Sequence, residues 1–364
     1  MRGTDTKQSS MFCLLSPESR VPQNHPLRSI KAMCEAVLKE LSGTFNEMYS
    51  AVGRDSVPPE RLLKATVLMA LYTIRSERHF CEQLDYNMLF RWFLDMDMVE
   101  ESFHHSTFSK NRRRLIQHEV AKLFFAQVVQ QARTAGLMSR EHFTVDGTLI
   151  EAWASFKSLR RVDDSSDKRP PDDPGNPTVD FRGEKLRNQT HRSSTDPEAR
   201  LARKGKGKEA KLAFAAHALM ENRNGLLVDL RITDAAETTE RDAALTMIDE
   251  ALPGQRRITL AGDKGYDTKD FIQRCRERNV TPHVAQNLTT HRRSAIDRRT
   301  TTQAGYRTSQ RIRKRVEEIF GWCKTVGNFR KTRYRGTERN QLAAYFVAAA
   351  YNLLRVARLT ALPC

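Results

Sequence analysis

Hydrophobic positions in the first third of the chain recur at three- and four-residue spacing. Leu27, Ile30, Met33, Cys34, Val37 and Leu41 share one face at about 100° per residue, which predicts a helix over residues 27–41. Pro58-Pro59 suits a helix start and opens residues 60–74, a run of good helix formers. Two more amphipathic stretches, 77–94 and 107–136, flank an acidic loop at 95–102. No two-residue alternation interrupts them. Residues 26–137 are therefore expected to form a helical domain, following a disordered tail at 1–25.

The period changes near residue 140. Residues 142–145 are β-prone and end in Asp146-Gly147. From about 157 to 208 the chain has linker composition, including DDSSDKRPPDDPGNP and the basic run RKGKGK. The apolar runs 211–220 and 226–233 are separated by a polar turn ending in Asn224-Gly225, a hairpin signal. Residues 238–252 read as a helix, with Thr239 as cap and Asp242 three residues on. A strand at 257–261 ends in Gly262-Asp263, a helix follows at 267–278, and a last strand lies at 281–284. Residues 286–308 read as irregular, and helices at about 309–326 and 338–358 close the chain. Strands crossed by helices predict an α/β domain over 138–360, with the basic insertion at 157–208.

Charge narrows the choice of partner. Of 364 residues, 39% are hydrophobic and 29% charged, a globular profile, but the formal net charge is +17. A surplus that large calls for an anionic partner, either nucleic acid or an acidic membrane surface. No run approaches the roughly 18–20 apolar residues of a membrane span; the Ala-rich stretch 342–354 reads as a buried helix. The opening MRGTDTKQSS lacks the apolar core of a signal peptide. Nucleic acid is the favoured partner. Six scattered cysteines form no C-x-x-C pair, which argues for reduced cytoplasmic thiols over a zinc module.

Three carboxylates can be picked out as candidates for metal-assisted phosphoryl transfer, which gathers acidic side chains from distant parts of a chain. Asp146 and Asp263 each close a predicted strand and are followed within two residues by Gly. Each taken alone is also what an ordinary turn carries. In RIRKRVEEIFGWCK, Ile312, Val316, Ile319, Phe320 and Cys323 make an apolar stripe. Helix phase puts Arg313, Glu317 and Lys324 along one flank of that stripe and Glu318 nearly opposite it. Glu317 is thus the better third candidate, although Arg313 and Glu317 would equally make a surface i,i+4 pair.

At this point a family resemblance emerges. Arg313, Glu317 and Lys324 resemble the Y-x2-R-x3-E-x6-K signature of DDE insertion-sequence transposases, and VEEIFGWCKT is similar to the IS five group of the IS four superfamily. VDGTLIEAWAS around Asp146 and AGDKGYD around Asp263 resemble the motifs carrying that family's aspartates. PPERLLKATVLMALYTIRSERHFCEQLDYNMLFRWF and HHSTFSKNRRRL resemble its helical entry domain, so the resemblance runs from about residue 25 to 358. One position departs: Gln310 stands where the signature has Tyr, with Tyr306 one helical turn earlier.

The resemblance implies a ribonuclease-H-like core, a mixed sheet with flanking helices, whose element order agrees with the one read above. It implies Asp146, Asp263 and Glu317 as catalytic ligands of two Mg²⁺ ions, with Mn²⁺ able to substitute. It further implies cleavage at transposon ends and strand transfer into target DNA by in-line phosphoryl transfer. The expected partner is double-stranded DNA, both terminal inverted repeats and target, bound by a homodimer or larger synaptic assembly in the cytoplasm at the nucleoid. Between His291 and Arg335 stand fourteen Lys or Arg against three acids, a face suited to phosphate contact. Arg311, Arg313, Lys324, Lys264 and Tyr266 are the candidate DNA contacts. A stand-alone nuclease and a non-catalytic DNA-binding regulator are the alternative readings.

Overall fold

The structure, a computed structural model, describes residues 16–49, 56–162, 186–205, 207–235, 239–254, 257–288 and 293–361. Eight helices form the first part: α1 (Pro17–Arg20), α2 (Leu27–Glu40), α3 (Ser42–Met48), α4 (Pro59–Leu71), α5 (Glu77–Tyr86), α6 (Met88–Phe93), α7 (Ser106–Gln117) and α8 (Val120–Thr134). The expected disordered tail does not extend over residues 16–25. The Ser16 hydroxyl accepts from the Ser19 N–H at 3.1 Å. Glu18 pairs with Arg28 at 2.5 Å and accepts from the Trp92 indole, and Val21 is buried. One carboxylate thereby fastens the segment to α2 and α6. Residues 1–15 lie outside the described residues.

The second part holds β1 (His142–Glu151), β2 (Leu159–Arg161), β3 (His191–Ser193), β4 (Arg200–Ala202), β5 (Lys211–Glu221), β6 (Leu227–Asp234), α9 (Thr239–Ala251), β7 (Ile258–Gly262), α10 (Lys269–Glu277), β8 (Val280–Val284), α11 (Arg298–Thr301), α12 (Ala304–Ile312), α13 (Val316–Lys324) and α14 (Thr337–Ala361). In the main sheet β6, β5 and β1 are antiparallel neighbours, and β1, β7 and β8 are parallel ones. A three-stranded antiparallel meander continued by two parallel strands is the ribonuclease-H-like arrangement the resemblance implies. β4 extends the same edge, pairing with β5 where β6 ends. The insertion is thus partly ordered: β2 and β3 form their own ribbon and β4 joins the sheet, while 163–185 fall outside the described residues. The expected helix at 309–326 is broken by a 3₁₀ turn at Arg313–Arg315, and α11 and most of α12 occupy a stretch read as irregular.

The β5–β6 hairpin turns on Glu221. Its side chain is fully buried and accepts N–H groups from Ser139, Arg223, Asn224 and Leu226 at 2.8–3.0 Å. Gly225 adopts φ 70°, which suits a residue without Cβ.

Helix α14 joins the two parts. It packs on α2, α4 and α8 as well as β6, and one buried apolar cluster runs from Val21 to Ala357. β6 is an edge strand, and α14 satisfies its outer backbone groups with two amide side chains. Asn352 accepts from the Leu227 N–H at 2.9 Å and donates to the Leu227 carbonyl at 2.8 Å. Gln341 does the same for the Ile232 N–H and Leu230 carbonyl at 2.7 and 2.8 Å. Among the described residues α14 alone is long and apolar enough to cross a membrane, yet 72% of its most apolar window is buried in this core.

Candidate active site

Parallel pairing sets the position of the two aspartates. β1 and β7 pair His142 with Thr259, Phe143 with Leu260 and Thr144 with Ala261. β7 then ends at Gly262, whereas β1 runs on to Glu151 against β5. Two further steps of the parallel register bring Asp146 level with Asp263, on neighbouring strand paths about 4.8 Å apart. Asp146 therefore sits within a strand, not at the strand end expected from sequence. It still faces the crevice beyond the parallel strands, because its partner strand stops short.

The crevice is crowded with negative charge. The Asp146 carboxyl is raised to about 6, by burial first and then by Asp263 and Glu240; the Gly147 N–H and Arg313 oppose the rise. Asp146 accepts from the Gly147 N–H at 2.8 Å, and Asp263 accepts from the Gly265 N–H at 2.7 Å. A Cβ on Gly265 would stand 2.9 Å from that Asp263 oxygen, so a larger residue there would have to push the Asp263 carboxylate aside. Glu240, in the first turn of α9, is also raised by burial and by Asp263, and accepts from the Tyr266 hydroxyl at 3.0 Å. Sequence reasoning missed Glu240, because Asp242 drew attention as the acid of that turn. Tyr266, expected on the surface as a DNA contact, is fully buried; its hydroxyl belongs to Glu240 and its ring packs under Gly262. Lys264, two residues earlier, is exposed.

The third candidate comes from the α12–α13 segment, which crosses beside this crevice. Gln310 donates to the His283 carbonyl and accepts from Arg313 Nε at 3.0 Å, aiming the Arg313 cation toward Asp146. Tyr306 donates to the Val284 carbonyl at 3.0 Å. Both side chains at and before the departing signature position therefore hold the helix to β8. At the other end, Lys324 Nζ donates to Thr148 Oγ1 at 2.6 Å, on the same strand face as Asp146. Burial lowers the Lys324 pKa, and so do Lys204 and Arg330, which places one lysine of the RKGKGK run beside the site. Glu317 lies between Arg313 and Lys324, exposed, one turn beyond Arg313. Glu318 is exposed as well but lies within electrostatic reach of Tyr351 on α14. Arg311 is exposed.

Among the described residues, no three His, Cys, Asp or Glu side chains stand close enough together to hold a metal ion. The donors present are hard carboxylate oxygens crowded by like charge, a set that fits a hard divalent cation. Asp146 and Asp263 form the assembled part, and Glu317 stands apart on the helix flank.

Residues 15–114 match the family described as Transposase domain (DUF772), and residues 154–353 match the Transposase DDE domain. The second match includes Asp263 and Glu317 and begins just after Asp146. A solved piggyBac transposase synaptic complex with hairpin DNA is similar at 11% identity and TM-score 0.41, covering 90% of this chain and 73% of that one. The Mos1 strand transfer complex aligns at 9% identity and TM-score 0.20, covering 84% of this chain and 79% of that one. Both likenesses are remote, and the fold assignment rests on the sheet order. The DDE match spans more than half of the chain, so the protein belongs to the DDE transposase domain family.

Proposed function

We propose that this DNA transposase is an insertion-sequence enzyme of the IS five group that cuts transposon ends and joins the freed 3′-hydroxyl to target DNA. Asp146 and Asp263, with Glu317 brought in from the α13 flank, would hold two Mg²⁺ ions, or Mn²⁺ in their place. Ions held there would supply an activated water and charge stabilisation at the leaving oxygen. The observation that carries the reading is the parallel β1–β7 register, which continued by two residues brings Asp146 level with Asp263, together with the charge of Asp263 acting on Asp146. Arg313 and Lys324 border the carboxylates from both ends of the helix and would hold the scissile strand by its phosphates. Exposed Arg311 and Lys264 extend that phosphate track. The helical part, residues 26–137, would bind transposon ends or serve assembly, and the working unit would be a homodimer or larger synaptic complex on DNA in the bacterial cytoplasm.

Asp146→Ala tests the reading directly. The variant should bind terminal-repeat DNA much as the wild type does and should fail to nick it in Mg²⁺. Undiminished nicking overturns the assignment, and nicking without joined product in the wild type makes the protein a nuclease.

A further inference from the structure

The feature that the carboxylate triad leaves unexplained is a half-buried Glu240 bonded to a buried Tyr266 directly behind it. In a strand successive side chains point to opposite faces, so Gly147 and Gly262, each next to a candidate aspartate, mark the face away from it. Both lack a Cβ, and both gaps are filled. A Cβ on Gly147 would fall 2.6 Å from Glu240 Oε1, and a Cβ on Gly262 would fall 3.2 Å from the Tyr266 ring. The two fillers are bonded to each other, Tyr266 Oη donating to the same Glu240 oxygen at 3.0 Å. Phe271 packs against the Tyr266 ring at 5.2 Å between centroids, fixing its position. A half-buried carboxylate beside two others is costly unless something offsets it. No Lys, Arg or His forms an ion pair with Glu240 among the described residues; Arg241 acts on it only through space.

We propose that Glu240, held by Tyr266, is a positioning residue of the cation site: it adds a fourth negative charge behind Asp146 and Asp263 and backs the strand at Gly147 and the turn after Gly262. The proposal rests on the carboxylate reading above. Glu240 touches neither substrate nor reacting atoms; it acts through the two aspartates. Its charge raises the affinity of the crevice for a divalent cation, and binding of the cation offsets the cost of the half-buried carboxylate. The glycine at 147 is needed because any Cβ there displaces the Glu240 oxygen.

The test is direct Mn²⁺ titration of the full-length protein, with free ion followed by electron paramagnetic resonance and thermal unfolding run in parallel. Glu240→Gln and Tyr266→Phe should each weaken Mn²⁺ binding about 10-fold or more, the usual effect of losing an outer partner of a metal site. Gly147→Ala should weaken it in the wild type and add little in a Glu240→Ala background, since both changes act through one oxygen. Glu240→Asp keeps the charge but shortens the reach to Tyr266, and should bind Mn²⁺ between wild type and Glu240→Gln; it serves if the Gln variant misfolds. A lower melting temperature with unchanged Mn²⁺ affinity would mean a purely structural pair and overturns the proposal. So does wild-type affinity in Glu240→Gln when Asp146→Asn has lost it. Wild-type affinity in both Asp146→Asn and Asp263→Asn would instead refute the carboxylate reading itself.

Discussion

Asp146→Asn should make the metal-free protein more stable at neutral pH while removing its activity. The folded carboxyl titrates near 6 against an ordinary 3.8, because it is buried and crowded by Asp263 and Glu240. A difference of about two pH units is worth about 3 kcal/mol at about 1.4 kcal/mol per unit. The sign follows from which state holds the proton. Below pH 3.8 both states are protonated and the folded chain carries no penalty. Between 3.8 and 6 the unfolded chain releases its proton while the folded chain keeps it, so stability falls as pH rises. Above 6 the folded state carries the whole cost. An amide of the same shape has no charge to desolvate, so the gain from Asp146→Asn should be near zero at pH 4 and approach 3 kcal/mol by pH 8. Denaturant unfolding across that range, in excess chelator, measures it. Added Mg²⁺ should then stabilise the wild type and leave the variant unmoved. A variant no more stable than wild type at pH 8, or a gain independent of pH, would refute the reasoning.

Two further outcomes follow from contacts already described. Lys324→Met should leave the fold intact and lower single-turnover cleavage about 10- to 100-fold, because the ammonium anchored on Thr148 is lost beside the scissile strand; cleavage equal to wild type would remove Lys324 from the site. Glu221→Ala should cost at least about 3 kcal/mol in denaturant unfolding, since four N–H groups around the β5–β6 turn lose their acceptor.

Local signals served well where one segment decided the outcome. The hairpin ending in Asn224-Gly225 and the helical run after Pro58-Pro59 depend on neighbours within a turn or two and form, and the apolar stripe of the Glu317 helix forms from Val316 onward. Asp146 and Asp263 were legible as candidates because each follows a β-prone run and precedes Gly. What failed was long-range. Tyr266 looked like a surface aromatic, because nothing within four residues reveals that Gly262 leaves a slot for its ring. Glu240 looked like any first-turn acid of a helix, and only the approach of α9 to β1 turns it toward the aspartates. Gln310 read as a departure from a signature; its role in seating Arg313 appears only once β8 lies beneath it. Residues 200–202 looked like linker and became a strand by borrowing the free end of β5.

Helix α14 has a consequence for how the chain comes into being. The helices α2, α4 and α8 leave the ribosome well before α14, yet α14 covers the surface they share. Roughly 200 residues separate the end of α8 from the start of α14. At about 5–20 residues per second, that is an interval of about 10–40 s. Through it the apolar faces of those helices wait without their partner, and for about the second half of it the outer edge of β6 waits without the amides of Gln341 and Asn352. Completion of this shared core therefore waits for the 25-residue α14. A nascent chain cut short before Thr337 would keep that apolar surface uncovered.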